Sequence, residues 1–103
     1  MLFSARGSNG LTSYIVNTDG TFTEADTIIK DLDSSTSLFA TDRYIYEARF
    51  AGGLHIYQYN KDNGDIVWLT SDFRAGAAQG VTADDNFIYT ANGNGGIDVY
   101  SFD

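Results

Sequence analysis

Apolar and polar residues alternate in short segments along this chain, and turn-forming residues separate the segments. In one segment Tyr44, Tyr46 and Ala48 occupy alternate positions, with Ile45 and Glu47 between them. This period of two is that of a β-strand, and no segment shows the 3.6-residue apolar spacing of a helix. Asp, Asn and Gly stand where tight turns are needed. The pattern predicts an all-β chain with ten strands, at residues 2–5, 11–16, 22–28, 37–40, 44–48, 54–59, 66–70, 80–83, 87–91 and 97–102.

A repeat of 43 residues runs through the chain. Ala5, Ala48 and Ala91 follow one another at that interval, and sixteen positions around each align without a gap. A second stretch, upstream of the last two copies, has the same period. Four-stranded propeller blades repeat at about 40 to 50 residues. The glycines and tyrosines that recur in register are Gly10, Gly53 and Gly96, and Tyr14, Tyr57 and Tyr100.

The repeat predicts one segment of a β-propeller over residues 1–103, about two and a half four-stranded blades. Residues 1–36 form a partial blade, 37–79 a full blade and 80–103 a second partial blade. Such an open arc exposes a sheet edge and an apolar face, so it needs completion. Either the rest of a longer chain or oligomerisation could complete it. In a head-to-tail oligomer, each junction would lack one inner and one outer strand.

Residues 80–103, GVTADDNFIYTANGNGGIDVYSFD, resemble the blades of the YVTN-type and 6-phosphogluconolactonase-like seven-bladed propellers. In those blades a TPDG-like turn leads into a YVYVAN-like strand and then an SVY-like strand. Residues 5–23, ARGSNGLTSYIVNTDGTFT, are similar to the first blade of the lactonase group. The chain departs from the pattern because it contains no Pro. The resemblance implies blades of this type, which enzymes and scaffolds share.

Composition excludes several partners. Fourteen Asp and Glu against six Lys and Arg give a net charge of -8, which repels phosphate backbones and anionic lipids. We therefore expect neither a nucleic acid nor a membrane partner. The N-terminal sequence has no signal-peptide pattern, and no apolar stretch approaches the roughly 20 residues of a membrane helix, so we expect a soluble chain. The absence of Cys excludes disulfides and leaves the compartment open.

Three loops, at residues 6–10, 49–53 and 92–96, connect the second and third strands of each repeat. Blade geometry predicts that they share one end of the stack with the connectors between repeats. Polar and cationic groups there could bind a carbohydrate or an anionic metabolite, with Phe50 as a stacking surface. The opposing interpretation is that glycine-rich turns are polar everywhere. The candidate ligand-binding residues are Arg6, Asn9, Arg49, Phe50, Asn92 and Asn94, with Lys30 and Arg74 on the same end.

The repeat predicts different burial for two of its residues. Arg49 is predicted at the exposed rim of its loop, and Tyr57 between the stacked blades. Replacing Tyr57 with Ala should then destabilise the fold more than replacing Arg49. Trp68 and the tyrosines could form an aromatic binding site, but aromatic residues on strands packed between blades are usually core, so Trp68 is likewise predicted in the core.

The acidic residues of the opposite turns suggest a calcium site, but the pattern favours plain turns. Within residues 60–71, Gly64 and Ser71 stand where an EF-hand loop would place acidic ligands. Asp and Asn also favour hairpin turns for backbone reasons. We predict no metal. The acidic residues concerned are Asp19, Asp42, Asp62, Asp65, Asp84 and Asp85.

Catalysis and a dinucleotide cofactor have little support. His55 is the single His, and no G-x-S-x-G motif accompanies it, so we predict a strand residue near the rim. The glycines of residues 93–96 lack a further Gly, because Asp98 stands there, and a strand rather than a helix follows. We assign no catalytic residue and no cofactor.

The favoured interpretation is a non-catalytic binding or scaffold segment that presents its loops to a protein or carbohydrate ligand. Its other partners are propeller blades, either of the parent chain or of a second copy. One alternative is a fragment of a lactonase-like sugar-acid hydrolase, which would need ionisable groups on the innermost strands. The other is a repeat-built lectin, which would need near-identical pockets in each repeat.

Overall fold

The computed structural model describes residues 1–28, 35–50, 53–72 and 78–101, with the side chain of Asn94 excepted. Within these ranges the chain forms ten strands and one short 3-10 turn at Gly93–Gly95. The strands are β1 (Leu2–Ala5), β2 (Leu11–Val16), β3 (Phe22–Ile28), β4 (Ser37–Ala40), β5 (Tyr44–Ala48), β6 (Leu54–Tyr59), β7 (Ile66–Asp72), β8 (Gly80–Ala83), β9 (Phe87–Ala91) and β10 (Ile97–Ser101).

The ten predicted strands are confirmed. Eight begin and end as predicted, the last strand begins as predicted at Ile97, and β7 continues two residues further, to Asp72. The predicted end of the last strand, at residue 102, lies outside the described residues. No described segment forms a helix that is long and apolar enough to cross a membrane.

The strands form three antiparallel sheets. Sheet 1 has the order β1-β2-β3, sheet 2 the order β4-β5-β6-β7, and sheet 3 the order β8-β9-β10. Within each sheet, consecutive strands are neighbours, which is the arrangement that short turns between antiparallel strands allow.

The 43-residue repeat is also a repeat of strand register. Ala5 pairs with Leu11 in sheet 1, and Ala48 pairs with Leu54 in sheet 2. Ala91 pairs with Ile97 at the same place in sheet 3. A register shift after Ser13 in β2 recurs after Ile56 in β6. Residues 43 apart therefore occupy equivalent places in successive sheets as far as the turn before β3 and β7. The turn of sheet 2 has one residue more, so Phe22, which pairs with Val16, corresponds to Ile66, which pairs with Tyr59.

Sheet 2 lies between the other two sheets. On one side it forms a core with sheet 1. On the other side it forms a core with sheet 3. Because successive side chains of a strand point to opposite faces, β5 contributes Ile45 to the first core and Tyr46 to the second. The first core contains Phe3, Leu11, Ile28, Leu38, Ile45, Tyr57, Tyr59 and Ile66; the second contains Phe39, Tyr44, Tyr46, Leu54, Ile56, Val81, Ala83, Ile88 and Tyr100.

The turn between β6 and β7 of sheet 2 packs against sheet 1. The backbone carbonyl of Gly64 accepts a hydrogen bond from Ser13 Oγ at 2.6 Å, and Asp26 Oδ2 accepts one from the backbone N–H of Ile66 at 2.8 Å. Gly64 has φ +81°, and a Cβ there would lie 2.5 Å from the Cβ of Ala25. Only glycine satisfies both the backbone conformation and the close approach.

Candidate functional site

The described parts of the three loops and the described ends of the connectors between sheets lie at one end of the stack. We call this end the loop face; its described residues are 6–10, 49, 50, 53 and 92–96. Ser35 donates its backbone N–H to the carbonyl of Gly7 at 3.0 Å. Phe50 and Ala78 exchange two backbone hydrogen bonds, at 2.8 and 2.9 Å. Each connector is thus hydrogen-bonded to the loop of the sheet it leaves, which restrains that loop.

Phe50 has an unusual backbone conformation on this face. Its φ is +54°, and it is the one non-glycine residue with positive φ in the part of the chain that the structure describes. The equivalent positions in the other repeats are Gly7 and Gly93, with φ of +58° and +59°. A left-handed conformation costs a non-glycine residue about 1–2 kcal/mol, and bulky residues rarely adopt it. The second repeat therefore has a strained phenylalanine where the first and third repeats have glycine, which adopts this conformation without strain.

The ring that this strained residue carries is exposed. The side chain of Phe50 is 45% exposed, so the ring is not held in place by burial in the core. Besides the two bonds to Ala78, the Phe50 carbonyl accepts the backbone N–H of Gly53 at 3.1 Å. The backbone thus fixes the direction in which the ring projects.

Arg6 and Asn9 lie on the loop face as predicted, and both are exposed. Asn9 donates its backbone N–H to the carbonyl of Arg6 at 3.0 Å, which closes the turn. Arg6 Nη1 donates to Thr12 Oγ1 at 3.3 Å, so a residue of β2 orients the guanidinium. These two side chains can offer a cation and an amide to a ligand.

Arg49 does not lie at the exposed rim, and that expectation is wrong. Its side chain is fully buried, and Nη1 is 3.5 Å from Oε2 of Glu47, which is also fully buried. Tyr57 Oη donates to the other carboxylate oxygen of Glu47 at 2.5 Å. Residues 47 and 49 are two apart in sequence, so they point to the same side of β5 and its extension. A ligand on the loop face cannot reach this guanidinium.

The remaining candidates of the loop face are buried or not described. Asn92 is buried, and its amide Nδ2 donates to Oδ2 of Asp98 on β10. The side chain of Asn94 lies outside the described residues, as do Lys30 and Arg74. Among the candidates that the structure describes, the loop face presents Arg6, Asn9 and Phe50 to solvent.

Polar side chains are hydrogen-bonded in pairs within two of the sheets, which was not predicted from the sequence. In sheet 2, His55 is fully buried, and its Nδ1 lies 3.1 Å from Ser71 Oγ. In sheet 1, Thr12 Oγ1 lies 3.0 Å from Thr27 Oγ1. Thr12, His55 and Asp98 occupy one repeat position, so their shared polarity was the signal available in the alignment. His55 is a strand residue as predicted, although it is buried.

Trp68 is not a core residue, contrary to expectation. It lies on β7 with its side chain exposed, and its Nε1–H donates to Ser71 Oγ at 2.9 Å. An edge strand has a neighbour on one side only, which leaves its large side chains open to solvent.

Two acidic residues of the opposite turns, Asp84 and Asp19, accept hydrogen bonds within their own turns. Asp84 Oδ1 accepts the backbone N–H groups of Asn86 and Phe87, each at 2.8 Å. These bonds, with one from Tyr89 Oη, hold the pKa of Asp84 below its ordinary value. Hydrogen bonds from Thr21 lower the pKa of Asp19 in the same way. Across the described ranges, no three His, Cys, Asp or Glu side chains are grouped to hold a metal ion.

Comparisons with known proteins bear on the fold. No protein-family model matches the chain, and no curated protein matches it. Among solved structures, it is similar to the crystal structure of a computationally designed protein, Ika4, with a TM-score of 0.74 and 13% sequence identity. The match covers 98% of this chain and 59% of the designed one, so this chain spans a little over half of that protein. At this identity the likeness concerns the fold alone.

Proposed function

We propose that the three sheets are blades of a propeller and that the chain is a binding segment without catalysis of its own. The equal register at 43-residue intervals supports this interpretation. So does the convergence of the sheets along one side, where β4 contacts both β1 and β8. The blade resemblance noted in residues 80–103 belongs to the same proposal. Its binding surface is the loop face.

The observation that carries the binding function is Phe50. A left-handed phenylalanine with an exposed ring adds strain and little burial, and glycine occupies its place in both sister repeats. Strained residues that persist on a surface are concentrated at ligand-contacting sites. We infer that Phe50 is retained for contact with a ligand.

The chemistry of the face indicates the kind of ligand. An exposed aromatic ring offers a flat apolar surface, on which the face of a sugar ring or of another aromatic group can stack. Arg6 and Asn9 add one cation and one amide at the same end of the stack. The ligand is therefore a carbohydrate or a protein segment with an exposed ring.

The two alternative functions have less support. A lactonase-like hydrolase would need ionisable groups on the innermost strands, and β4 and β8 contain none. A lectin with one pocket per repeat would need Phe50 to recur, and the equivalent residues are Gly7 and Gly93. The loop face is therefore proposed as a single site.

The substitution Phe50→Gly tests this function. Glycine removes the backbone strain and the ring together, so the free energy of unfolding should stay the same or rise by up to about 1 kcal/mol. Binding should fall at least tenfold on arrays of immobilised glycans and of aromatic-containing peptides. The control is Leu69→Ala, which removes a similarly exposed apolar side chain from β7 and should leave binding unchanged.

Two results would contradict the proposal. One is equal binding by the wild-type chain and Phe50→Gly, which would show that the ring is not part of the site. The other is no binding to either array by the wild-type chain. A large loss of stability in Phe50→Gly would instead show that the ring has a structural role.

A further inference from the structure

Sheet 3 has one face that no other described part of the chain covers. We call it the sheet 3 outer face; its large apolar residues are Phe87, Tyr89, Ile97 and Val99, with the smaller Ala91 beside them. Ile97 is 73% exposed, whereas Leu54, its equivalent in sheet 2, is 1% exposed because sheet 3 covers it. The other members also stand at positions that sheet 2 uses for its contact with sheet 3.

Sheet 1 also has a face that no other described part of the chain covers, on the side away from sheet 2. We call it the sheet 1 outer face; it includes Leu2, Tyr14, Val16 and Phe22. Phe22 is 58% exposed, whereas its equivalent Ile66 is 7% exposed in the core between sheets 1 and 2. These positions are the ones that sheet 2 turns toward sheet 1.

At each internal junction, one sheet contributes the face that corresponds to the sheet 3 outer face. The next sheet contributes the face that corresponds to the sheet 1 outer face. Sheets 1 and 2 meet in this way, and so do sheets 2 and 3. The chain therefore carries, uncovered, both halves of a junction that it already builds twice. None of the five residues of the sheet 3 outer face is charged, although the chain has a net charge of -8. A contiguous apolar patch of this kind marks a contact surface.

We propose that the sheet 3 outer face binds the sheet 1 outer face of a second copy of this chain, head to tail. The inference rests on the proposed blade interpretation and names the partner and the two faces. Ile97 takes the place of Leu54 in the new junction, and Phe22 takes the place of Ile66. In the described chain, sheet 1 has no counterpart of β4, whose Leu38 packs in the first core, and sheet 3 has no counterpart of β7. The new contact is therefore smaller than the internal ones.

A turn of sheet 1 is available to complete the junction. Gly64 lies in the turn of sheet 2 that docks on sheet 1, where a Cβ would collide with Ala25. Gly20 has the equivalent place in sheet 1 and φ +87°, and a Cβ there would meet no atom within 4 Å. In the head-to-tail arrangement this turn lies over the third sheet of the neighbouring copy.

The test is the solution mass of the 103-residue chain and of two variants, measured by light scattering at about 50 μM. Wild-type chain should form a discrete multimer or an extending series, since a head-to-tail contact leaves one free face at each end until a ring closes. Ile97→Asp removes one face and Phe22→Asp removes the other. Each variant alone should be monomeric, because a buried unpaired carboxylate opposes the contact.

Mixing the variants distinguishes a head-to-tail contact from any other. Ile97→Asp retains a sound sheet 1 face and Phe22→Asp a sound sheet 3 face, so an equimolar mixture should give a 1:1 dimer and nothing larger. Val67→Asp changes an exposed residue of β7 outside both faces and should associate like the wild-type chain. Circular dichroism of all three variants checks that the strands remain.

Three results would overturn the proposal. A monomeric wild-type chain would show that something other than a second copy covers these faces. Association that survives Phe22→Asp but not Ile97→Asp would indicate that two sheet 3 faces meet each other. Failure of the mixed variants to pair would exclude the head-to-tail contact. None of these results changes the binding expected of Phe50, so the two proposals fail separately.

Discussion

At the scale of single residues, the first core contains an ion pair where an apolar interior is the usual solution. Glu47 and Arg49 are both fully buried, and Tyr57 bonds the carboxylate from β6. Removing two charges from water costs several kcal/mol each, which their attraction and hydrogen bonds offset when the geometry is good. Each buried charge therefore needs the other for its compensation, whatever the net contribution of the ion pair to stability.

Replacing Arg49 with Met should accordingly destabilise the fold by about 3–5 kcal/mol, because it leaves the Glu47 carboxylate buried without its cation. This reverses the expectation that Arg49 matters less than Tyr57, which followed from an exposed arginine. The double variant Glu47→Gln/Arg49→Met removes both charges and keeps an acceptor for Tyr57, so it should lose less than the single variant. Urea unfolding measures both, and an equal loss in the two would contradict the argument.

At the scale of elements, turns decide how closely the sheets approach. Gly64 and Gly20 are equivalent, with φ of +81° and +87°. They differ in surroundings, since the Gly64 turn is docked on β2 and β3 and the Gly20 turn is open. One repeat position thus has a purely local role in sheet 1 and an additional packing role in sheet 2.

This pair gives a matched comparison. Gly20→Ala should cost about 1 kcal/mol for the left-handed backbone alone. Gly64→Ala should cost at least about 1 kcal/mol more, because the methyl group forces the turn away from Ala25 and weakens the bond from Ser13. Urea unfolding of the two variants measures the difference. Equal losses would mean that the turn can move without disturbing the core.

The strands themselves were predictable at this scale, and the reason is local. Alternation along a strand and Asp, Asn or Gly at a turn depend on residues near in sequence. The 43-residue interval then assigned equivalent register to three sheets, as Ala48 paired with Leu54 illustrates. The extension of β7 to Asp72 was not predicted, because it follows from pairing with β6 rather than from its own sequence.

At the scale of the whole molecule, sheet 2 is the element that both cores share. Strands β5 and β6 are interior in their sheet and contacted on both faces. Strand β10 lies at the edge of sheet 3 in the described part of the chain, and one of its faces is open. Local opening is easiest where apolar contacts are few.

Hydrogen exchange should therefore be slowest at the amides of β5 and β6 and clearly faster at those of β10. The experiment is native-state exchange followed by NMR, on the Ile97→Asp variant so that self-association does not protect β10. Comparable protection in the two regions would show that sheet 3 is stabilised by contacts beyond those described.

The sequence by itself determined the class of fold, the ten strands and the end of the stack on which the loops lie. Periodicity and turn chemistry are properties of neighbouring residues, and the repeat can be read from the order of residues alone. Only the tertiary structure decided which side chains are buried. Arg49 and Arg6 occupy the same repeat position, yet one lies in a core and the other faces solvent. The difference arises because sheet 1 covers that face of sheet 2, while none of the described chain covers the equivalent face of sheet 1. The left-handed backbone of Phe50 was equally beyond the sequence, since the residue type opposes it and the backbone hydrogen bonds to Ala78 and Gly53 hold it in place.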